Sequence, residues 1–486
     1  MSRWQPSVGV AAAAACVQGL LSGTRVDVVR VSAAAEAAHV IGVERLLASY
    51  RSIPATASVR LAKPTSNLFR ARAKRDAPGL DTSGLTNVIS VDPEACIADV
   101  AGMCTYEDLV AATLPYGLSP LVVPQLRTIT LGGAVTGLGI ESASFRNGLP
   151  HESVLEMDIV TGAGELLTAS PTQHSDLYRA FPNSYGTLGY STRLRIELET
   201  VTPFVALRHV RFGSLDDMVS AMDRITETGG FAGEPVDYLD GVVFSADESY
   251  LCVGARTTTP GPVSDYTGQQ IYYRSIQHDS GVKEDRLTMQ DYFWRWDTDW
   301  FWCSRSFGAQ NLRVRRWWPR RYRRSSFYWK LAAYEQRFDI GNRIKKRKGL
   351  SPHERVVQDI EVEIGRASEF LEWFLSSVPI TPLWLCPLRV RDQAGWPLYP
   401  IRPGRSYVNI GFWSSVPICA AEDATNRLIE AKVGALDGHK SLYSGSCYTR
   451  EEFDELYGGD AYKTVKKTYD PDSRLLDVYA KAVQRR

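Results

Sequence analysis

Apolar residues recur at helical spacing from Ala37 to Tyr50, through Val40, Ile41, Val43, Leu46 and Leu47, and Ile53-Pro54 closes that segment. The alanine-rich residues 1–36 read as an extension outside the fold. Shorter patterns follow. Asn87 to Asp92 has the composition of a strand, Thr105 to Leu114 reads as a capped helix, and Pro115-Tyr116-Gly117 stops it. Val154–Val160 and Glu165–Ala169 flank Thr161-Gly162-Ala163-Gly164, a hairpin turn that needs positive φ. A short helix at Asp176–Phe181 and an alternating strand at Tyr190–Leu198 complete a first region. After Pro203 come a helix at Leu215–Thr226, strands at Gly241–Ser245 and Arg355–Ile364, a helix at Ala367–Ser376, and strands near Leu383 and Val408. A tail from Gly438 carries Tyr443, an acidic helix at Glu451–Tyr457 and Asp470-Pro471. Strands that return by hairpins predict an α+β fold, not repeated βαβ units.

With 486 residues, 44% of them hydrophobic, the chain can fill two or three packed domains. A net charge of +1 excludes any global specialisation toward nucleic acid. The eight cysteines are scattered without C-x-x-C spacing, and the seven histidines show no ligand spacing, so no metal is expected and reduced, cytoplasmic thiols are. The longest apolar run, Val8 to Leu21, is broken by Gln18 and is too short to span a bilayer, so neither a membrane helix nor a signal peptide is expected.

Between Leu131 and Leu149 stand Gly132, Gly133, Gly137, Gly139 and Gly148, with Ser142 and Ser144 among them. Backbone N–H groups unobstructed by side chains suit a pyrophosphate. A run of tight turns would read the same way, and Gly137-Leu138-Gly139 lacks the third glycine and the long helix of a dinucleotide fingerprint. Two further small-residue loops, Lys63-Pro64-Thr65-Ser66-Asn67 and Asn183 to Gly189, stand at distances that let all three converge on one extended cofactor.

Thr130-Leu131-Gly132-Gly133, Gly139-Ile140-Glu141-Ser142, Asp176-Leu177-Tyr178 and Gly186-Thr187-Leu188-Gly189 resemble the FAD domain of the vanillyl-alcohol-oxidase (PCMH-type) flavoproteins. Within that superfamily the likeness is to the delta-24 sterol reductases. It is carried by Val356-Val357-Gln358-Asp359, Trp384-Leu385-Cys386-Pro387 and Arg450-Glu451-Glu452-Phe453, and runs from about residue 37 to 480. The resemblance implies an FAD domain over residues 37–203, a cap over 204–437, and a segment over 438–486 that returns to the FAD domain. The expected FAD contacts are Thr65, Ser66, Asn67, Thr130, Gly132, Gly133, Gly137, Gly139, Ile140, Ser142, Ser144, Gly186, Thr187 and Gly189. No histidine or cysteine lies between Gly132 and Gly148, so the FAD is expected to be non-covalent.

The implied chemistry is reduction of a carbon–carbon double bond in a sterol-like or isoprenoid lipid by hydride from flavin N5, with electrons from NADPH or another donor. By the same resemblance Gln358, Asn409 and Tyr443 are the candidate catalytic residues. In the strand pattern Gln358 and Ile360 take one face while Asp359 and Glu361 take the other, so only one pair lines the site. Asp359 and Glu361 read as solvated, and His439 and Lys440 as surface groups. An alcohol or sugar oxidase on the same fold, and a non-catalytic flavin- or lipid-binding protein, remain as alternatives.

One segment stands apart. Residues 294–348 interleave seven tryptophans with arginines at 313, 315, 316, 320, 321, 323 and 324. Such a mixture suits a bilayer headgroup region. A basic face over a tryptophan-rich cap core is the competing reading, and nucleic acid is set aside.

Overall fold

The computed structural model of the protein describes residues 33–485 except 64–68, 71–78, 268–269, 339, 348, 350, 419–420 and 422. The expected contacts Thr65, Ser66 and Asn67 lie outside the described residues. No described helix is long and apolar enough to cross a membrane.

The first helix, Ala33–Ser52, begins four residues earlier than its apolar pattern. It buries Leu46 and Tyr50 in a small cluster with Leu80, Leu85, Val160 and Leu475. Six strands follow: β1 (Val88–Asp92), β2 (Ile97–Ala101), β3 (Leu118–Pro120), β4 (Val154–Thr161), β5 (Leu166–Ala169) and β6 (Gly189–Thr200). They form one antiparallel sheet in the order β1-β2-β6-β4-β5, with β3 added to β6. Gly164, at φ +83, closes the β4–β5 hairpin, where any Cβ would run into the Tyr50 ring. The capped helix is Tyr106–Thr113, with the Thr105 hydroxyl accepting from the Asp108 N–H and left-handed Gly117 ending the short turn beyond it.

A second antiparallel sheet starts at residue 204. Its strands are β7 (Phe204–Phe212), β10 (Tyr238–Ser245), β11 (Glu248–Thr257), β12 (Val282–Thr288), β13 (His353–Glu363), β14 (Leu383–Leu388), β15 (Tyr407–Pro417) and β16 (His439–Lys440); β8 (Gly230–Phe231) and β9 (Glu234–Pro235) form a separate hairpin. The order is β12-β7-β11-β10-β14-β15-β13-β16. Helices Leu215–Thr228, Ala367–Ser377 and Ala424–Ala435 cover one face, packing Met218, Met222, Phe370, Phe374, Ile429 and Val433 against Val356, Ile360, Ile410 and Phe412. The other face shares a core with the first sheet through Trp384, Cys386 and Tyr407. The last helices return to the first domain: Tyr469 donates to Asp176 (2.8 Å) and Lys466 to the Thr187 carbonyl (2.7 Å).

Candidate functional site

Cross-strand register decides which side chains can meet. On β13, Asp359 pairs with Gly411 and Glu361 with Asn409; on β14, Trp384 pairs with Gly411 and Cys386 with Asn409. Directly paired residues share a face. Asp359, Glu361, Asn409, Trp384 and Cys386 therefore stand together on the face turned toward the first domain. Gln358 and Ile360 stand on the other, beneath the helices.

Between the domains lies a cavity of about 770 Å³, within the range of small-molecule and cofactor sites. The first domain lines it with Thr130, Gly132, Gly133, Gly137, Gly139, Ile140 and Gly186, all expected contacts. Thr130 caps the helix Leu131–Thr136, its Oγ1 accepting from the Gly133 N–H and from Lys63 Nζ, each at 3.2 Å. This changes the reading of the glycines. The N–H groups of Leu131 and Gly132 already donate to Cys104 and Gly102 carbonyls. Gly132 is needed for close approach, since a Cβ there would sit 2.5 Å from Ser191 Oγ. The N–H groups of Leu138, Gly139 and Ile140, just past the helix, donate to no acceptor among the described residues. Those amides are the better anion cradle.

Four other expected contacts do other work. Ser142 Oγ bonds Glu141 Oε1 (2.7 Å) and the Tyr292 hydroxyl (2.8 Å), while the Ser142 carbonyl accepts from Leu239 of β10. Ser144 Oγ accepts from the Glu141 N–H, and its carbonyl accepts from Arg389 N–H. Thr187 is buried and donates to the Ser184 carbonyl; Gly189 is paired into β6 opposite Thr161. None lines the cavity. Residues 141–144 instead dock the cap.

What the cavity adds is cationic. Arg60, Lys63, Arg70 and Lys481 line it against one carboxylate, Asp359. Lys481 comes from the last helix and is held by the carbonyls of Tyr185 (3.0 Å) and Gly186 (3.1 Å). Arg70 donates to the Leu442 carbonyl and lies 4.9 Å over the Tyr185 ring. Arg60, Arg70 and Lys481 were not foreseen, because no local pattern distinguishes them from surface cations.

The cap contributes aromatics. Phe301 stacks on Trp413 (4.3 Å between centroids, 27°) and packs against Trp384 (5.5 Å), while Phe69 stacks on Trp300 (5.6 Å, 19°). Trp300 and Phe301 have φ of 47° and 57°, a strained pair of left-handed residues at the cavity wall. Four tryptophans expected at a headgroup region, Trp294, Trp296, Trp300 and Trp302, are instead buried.

Asp359 lies among these rings. Burial pushes its carboxyl up to about 7, partly offset by the nearby Asn409 amide and Tyr443 hydroxyl. The Tyr443 hydroxyl lines the cavity and accepts from Trp413 Nε1 (3.0 Å). Burial raises that phenol well above its usual range, so it stays protonated. A Cβ at position 411 would sit 2.3 Å from Asp359 Oδ1, so glycine there makes the space for the carboxyl.

Three expectations are corrected by this geometry. Gln358 donates to Asn426 (2.7 Å) under the helix Ala424–Ala435 and does not line the cavity, because its register puts it on the apolar face. Glu361 is buried and Asp359 is half-buried in the cavity wall, so neither is a solvated surface group. His439 and Lys440 are buried too, His439 Nε2 standing 3.3 Å from Glu361 Oε2 and Lys440 Nζ 2.9 Å from Glu430 Oε1. Asn409 is buried on the Asp359 face without reaching the cavity wall.

Flanking amides, four cations and apolar slots fit a diphosphate joined to flat rings, which is the shape of FAD. Comparison with known proteins agrees. A family model described as "FAD binding domain" matches residues 56–170. The chain is similar to the Delta(24)-sterol reductase of Rattus norvegicus, 25% identical over 411 residues, covering 82% of this chain and 76% of that one. It is also similar to the Delta(24)-sterol reductase of Arabidopsis thaliana, 24% identical over 449 residues, covering 83% and 76%. Cytokinin dehydrogenase 10 of Oryza sativa subsp. japonica is 29% identical over 190 residues, covering 37% of this chain and 34% of that one. The chain thus carries a PCMH-type FAD binding domain and is similar, along most of its length, to the delta(24)-sterol reductases.

Proposed function

We propose that this FAD-dependent oxidoreductase reduces a carbon–carbon double bond of a sterol-like or isoprenoid lipid, with non-covalent FAD and with NADPH as electron donor. The observation that carries the reading is the one carboxyl, Asp359, on the wall of a cavity otherwise lined by aromatic, cationic and small residues, where burial raises it to about 7. Bound FAD supplies hydride at N5. An isolated double bond accepts that hydride only as a proton is delivered to the other carbon, and Asp359 is the group placed to give it. Tyr443 donates toward the carboxylate left behind. The rings of Trp300, Phe301, Trp384 and Trp413 exclude water from the reacting atoms and suit an apolar substrate.

The non-covalent reading rests on the lining. Among the described lining residues there is no histidine, and burial pushes the one thiol, Cys303, up to about 12, which keeps it an unreactive neutral group.

A second reading has an observation in its favour. Asp359 titrates near neutrality and as carboxylate would act as a base, and the similarity to a cytokinin dehydrogenase fits oxidation of the substrate. Anaerobic stopped-flow separates the two. The proposed reductase predicts bleaching of the flavin by NADPH and recovery of its absorbance on adding a Δ24-unsaturated sterol. Bleaching by an alcohol or amine and indifference to NADPH would replace it with the dehydrogenase.

A further inference from the structure

Large exposed apolar side chains are sparse over most of the described surface but gather between residues 312 and 338. Leu312 (64% exposed), Val314, Trp317 (84% exposed), Tyr322, Tyr334 and Phe338 all lie there. They sit on the helix Leu312–Trp317, the turn Arg320–Tyr322 and the helix Ser325–Phe338. The arginines of this segment divide by role. Arg315 is buried and pairs with Asp299 (2.6 Å), and Arg323 donates to the Trp318 carbonyl (3.0 Å); these two brace the loop from inside. Arg313, Arg316 and Arg321 are exposed and face no carboxylate among the described residues, while Arg320 pairs with Asp265 at the surface.

This face adjoins the cavity. The helix Ser325–Phe338 lines the cavity with Trp329 and Ala333, and Ala333 is itself exposed next to Tyr334. That helix therefore joins the cavity wall to the apolar patch.

We infer that the face formed by Leu312, Arg313, Arg316, Trp317 and Arg321 rests on an anionic phospholipid bilayer, so that a lipophilic substrate passes from the membrane into the cavity along the helix Ser325–Phe338. An indole exposed this far is unfavourable in water and favourable at the headgroup boundary. Unpaired guanidinium groups around it find their counter-charge in lipid phosphates. The binding half of this inference is independent of the redox reading, and only the substrate's route rests on it.

Flotation of the purified full-length chain, with no substrate or reductant, tests the surface by itself. The chain should rise with vesicles of phosphatidylglycerol and phosphatidylcholine, less so as salt increases, and remain below with phosphatidylcholine alone. Combined Arg313→Gln, Arg316→Gln and Arg321→Gln should weaken anionic-vesicle binding on the order of 100-fold. Leu312→Ser with Trp317→Ser should weaken it ~10-fold or more. Because all five side chains are exposed, melting temperature and flavin spectrum should match wild type in both variants. A wild-type chain that ignores anionic vesicles, or variants that bind as well as wild type, would overturn the inference. Loss of NADPH or sterol turnover with flotation intact would instead count against the redox reading alone.

Discussion

Two buried carboxylate clusters stand on opposite sides of one comparison. Around Asp240, one cation serves two carboxylates: Arg295 Nη2 lies 2.9 Å from its Oδ2 and 3.4 Å from Glu141 Oε1, and the indoles of Trp296 and Trp384 both donate to the same Oδ2 at 3.1 Å. Arg295 also lies 3.9 Å over the Tyr292 ring. Around Asp359 there is no guanidinium or ammonium in an ion pair among the described residues, only an amide and a phenol. Asp240 is fully buried and Asp359 half-buried at the cavity wall, and the partners differ. The paired cluster fastens the cap to residues 141–142 of the FAD domain; burial raises Glu141 to about 7 there too, but Glu141 lines no cavity, whereas Asp359, raised likewise, stands at the cavity wall. A raised acid that opens on a cavity is available for chemistry, and one sealed in an ion-paired core is a fastening.

The contrast breaks most sharply at Asp359 itself. Asp359→Asn should slow the sterol-dependent reoxidation of reduced flavin by ~10²- to 10⁴-fold and leave NADPH reduction of the flavin unchanged, as read by double-mixing stopped-flow. An equal loss in both half-reactions would remove Asp359 from the role of acid. The pH profile carries the same signature. A proton donor held at about 7 makes the reoxidation step fail as pH rises through about 7, whereas a base would make the oxidative reaction fail as pH falls through it.

Stability follows from the same shift. The folded carboxyl is raised from 3.8 to about 7, so its protonated form is favoured on folding. Below 3.8 there is no penalty; between 3.8 and about 7 the unfolded chain ionises first, and the penalty grows to a plateau. Asp359→Asn should therefore stabilise the apoprotein in alkaline urea titrations by up to ~4 kcal/mol, with the gain vanishing in acid.

On the fastened side, Arg295→Met leaves two carboxylates buried without their cation and should cost ~3–5 kcal/mol in urea unfolding. A cost near zero would mean that the Asp240 cluster relaxes or hydrates freely. Smaller effects separate the cavity surface from the domain junction. Lys481→Met, at the cavity, should weaken FAD binding ~10-fold by fluorescence titration, the loss of one phosphate-facing charge. Ser142→Ala, at the domain junction, should cost ~1 kcal/mol of stability and leave FAD affinity unchanged. Reversal of these two outcomes would return Ser142 to the cofactor surface.

Much of the chain's local structure was legible because local causes produce it. The hairpin at Thr161–Gly164 follows from glycine's access to positive φ, and the helix after Thr105 from its cap and its stop. The glycine-rich segment was recognisable as a place of close approach, but several of its glycines and serines serve packing within the first domain or between the domains. Gly132 is small because Ser191 and the Gly102 carbonyl crowd it, and Ser142 is polar because Glu141 and Tyr292 need it. Apart from Glu141, the residues that supply these reasons lie at least thirty positions away in the chain.

The alternation of β13 shows the boundary between the two kinds of knowledge. Residue order alone determined that Gln358 and Asp359 must face opposite ways, since a strand repeats every two residues. It also determined the polarity, the turns and the resemblance that pointed to FAD. Which of the two faces met the cavity was decided only in three dimensions. The helices Leu215–Thr228 and Ala424–Ala435, more than fifty residues away in the chain, helped claim the Gln358 side for their apolar stripes, and Gly411, on the neighbouring strand, left room for Asp359 on the other. Periodicity is a property of consecutive residues, but the sign of a face is set by what packs on it, and that information is spread over the whole chain.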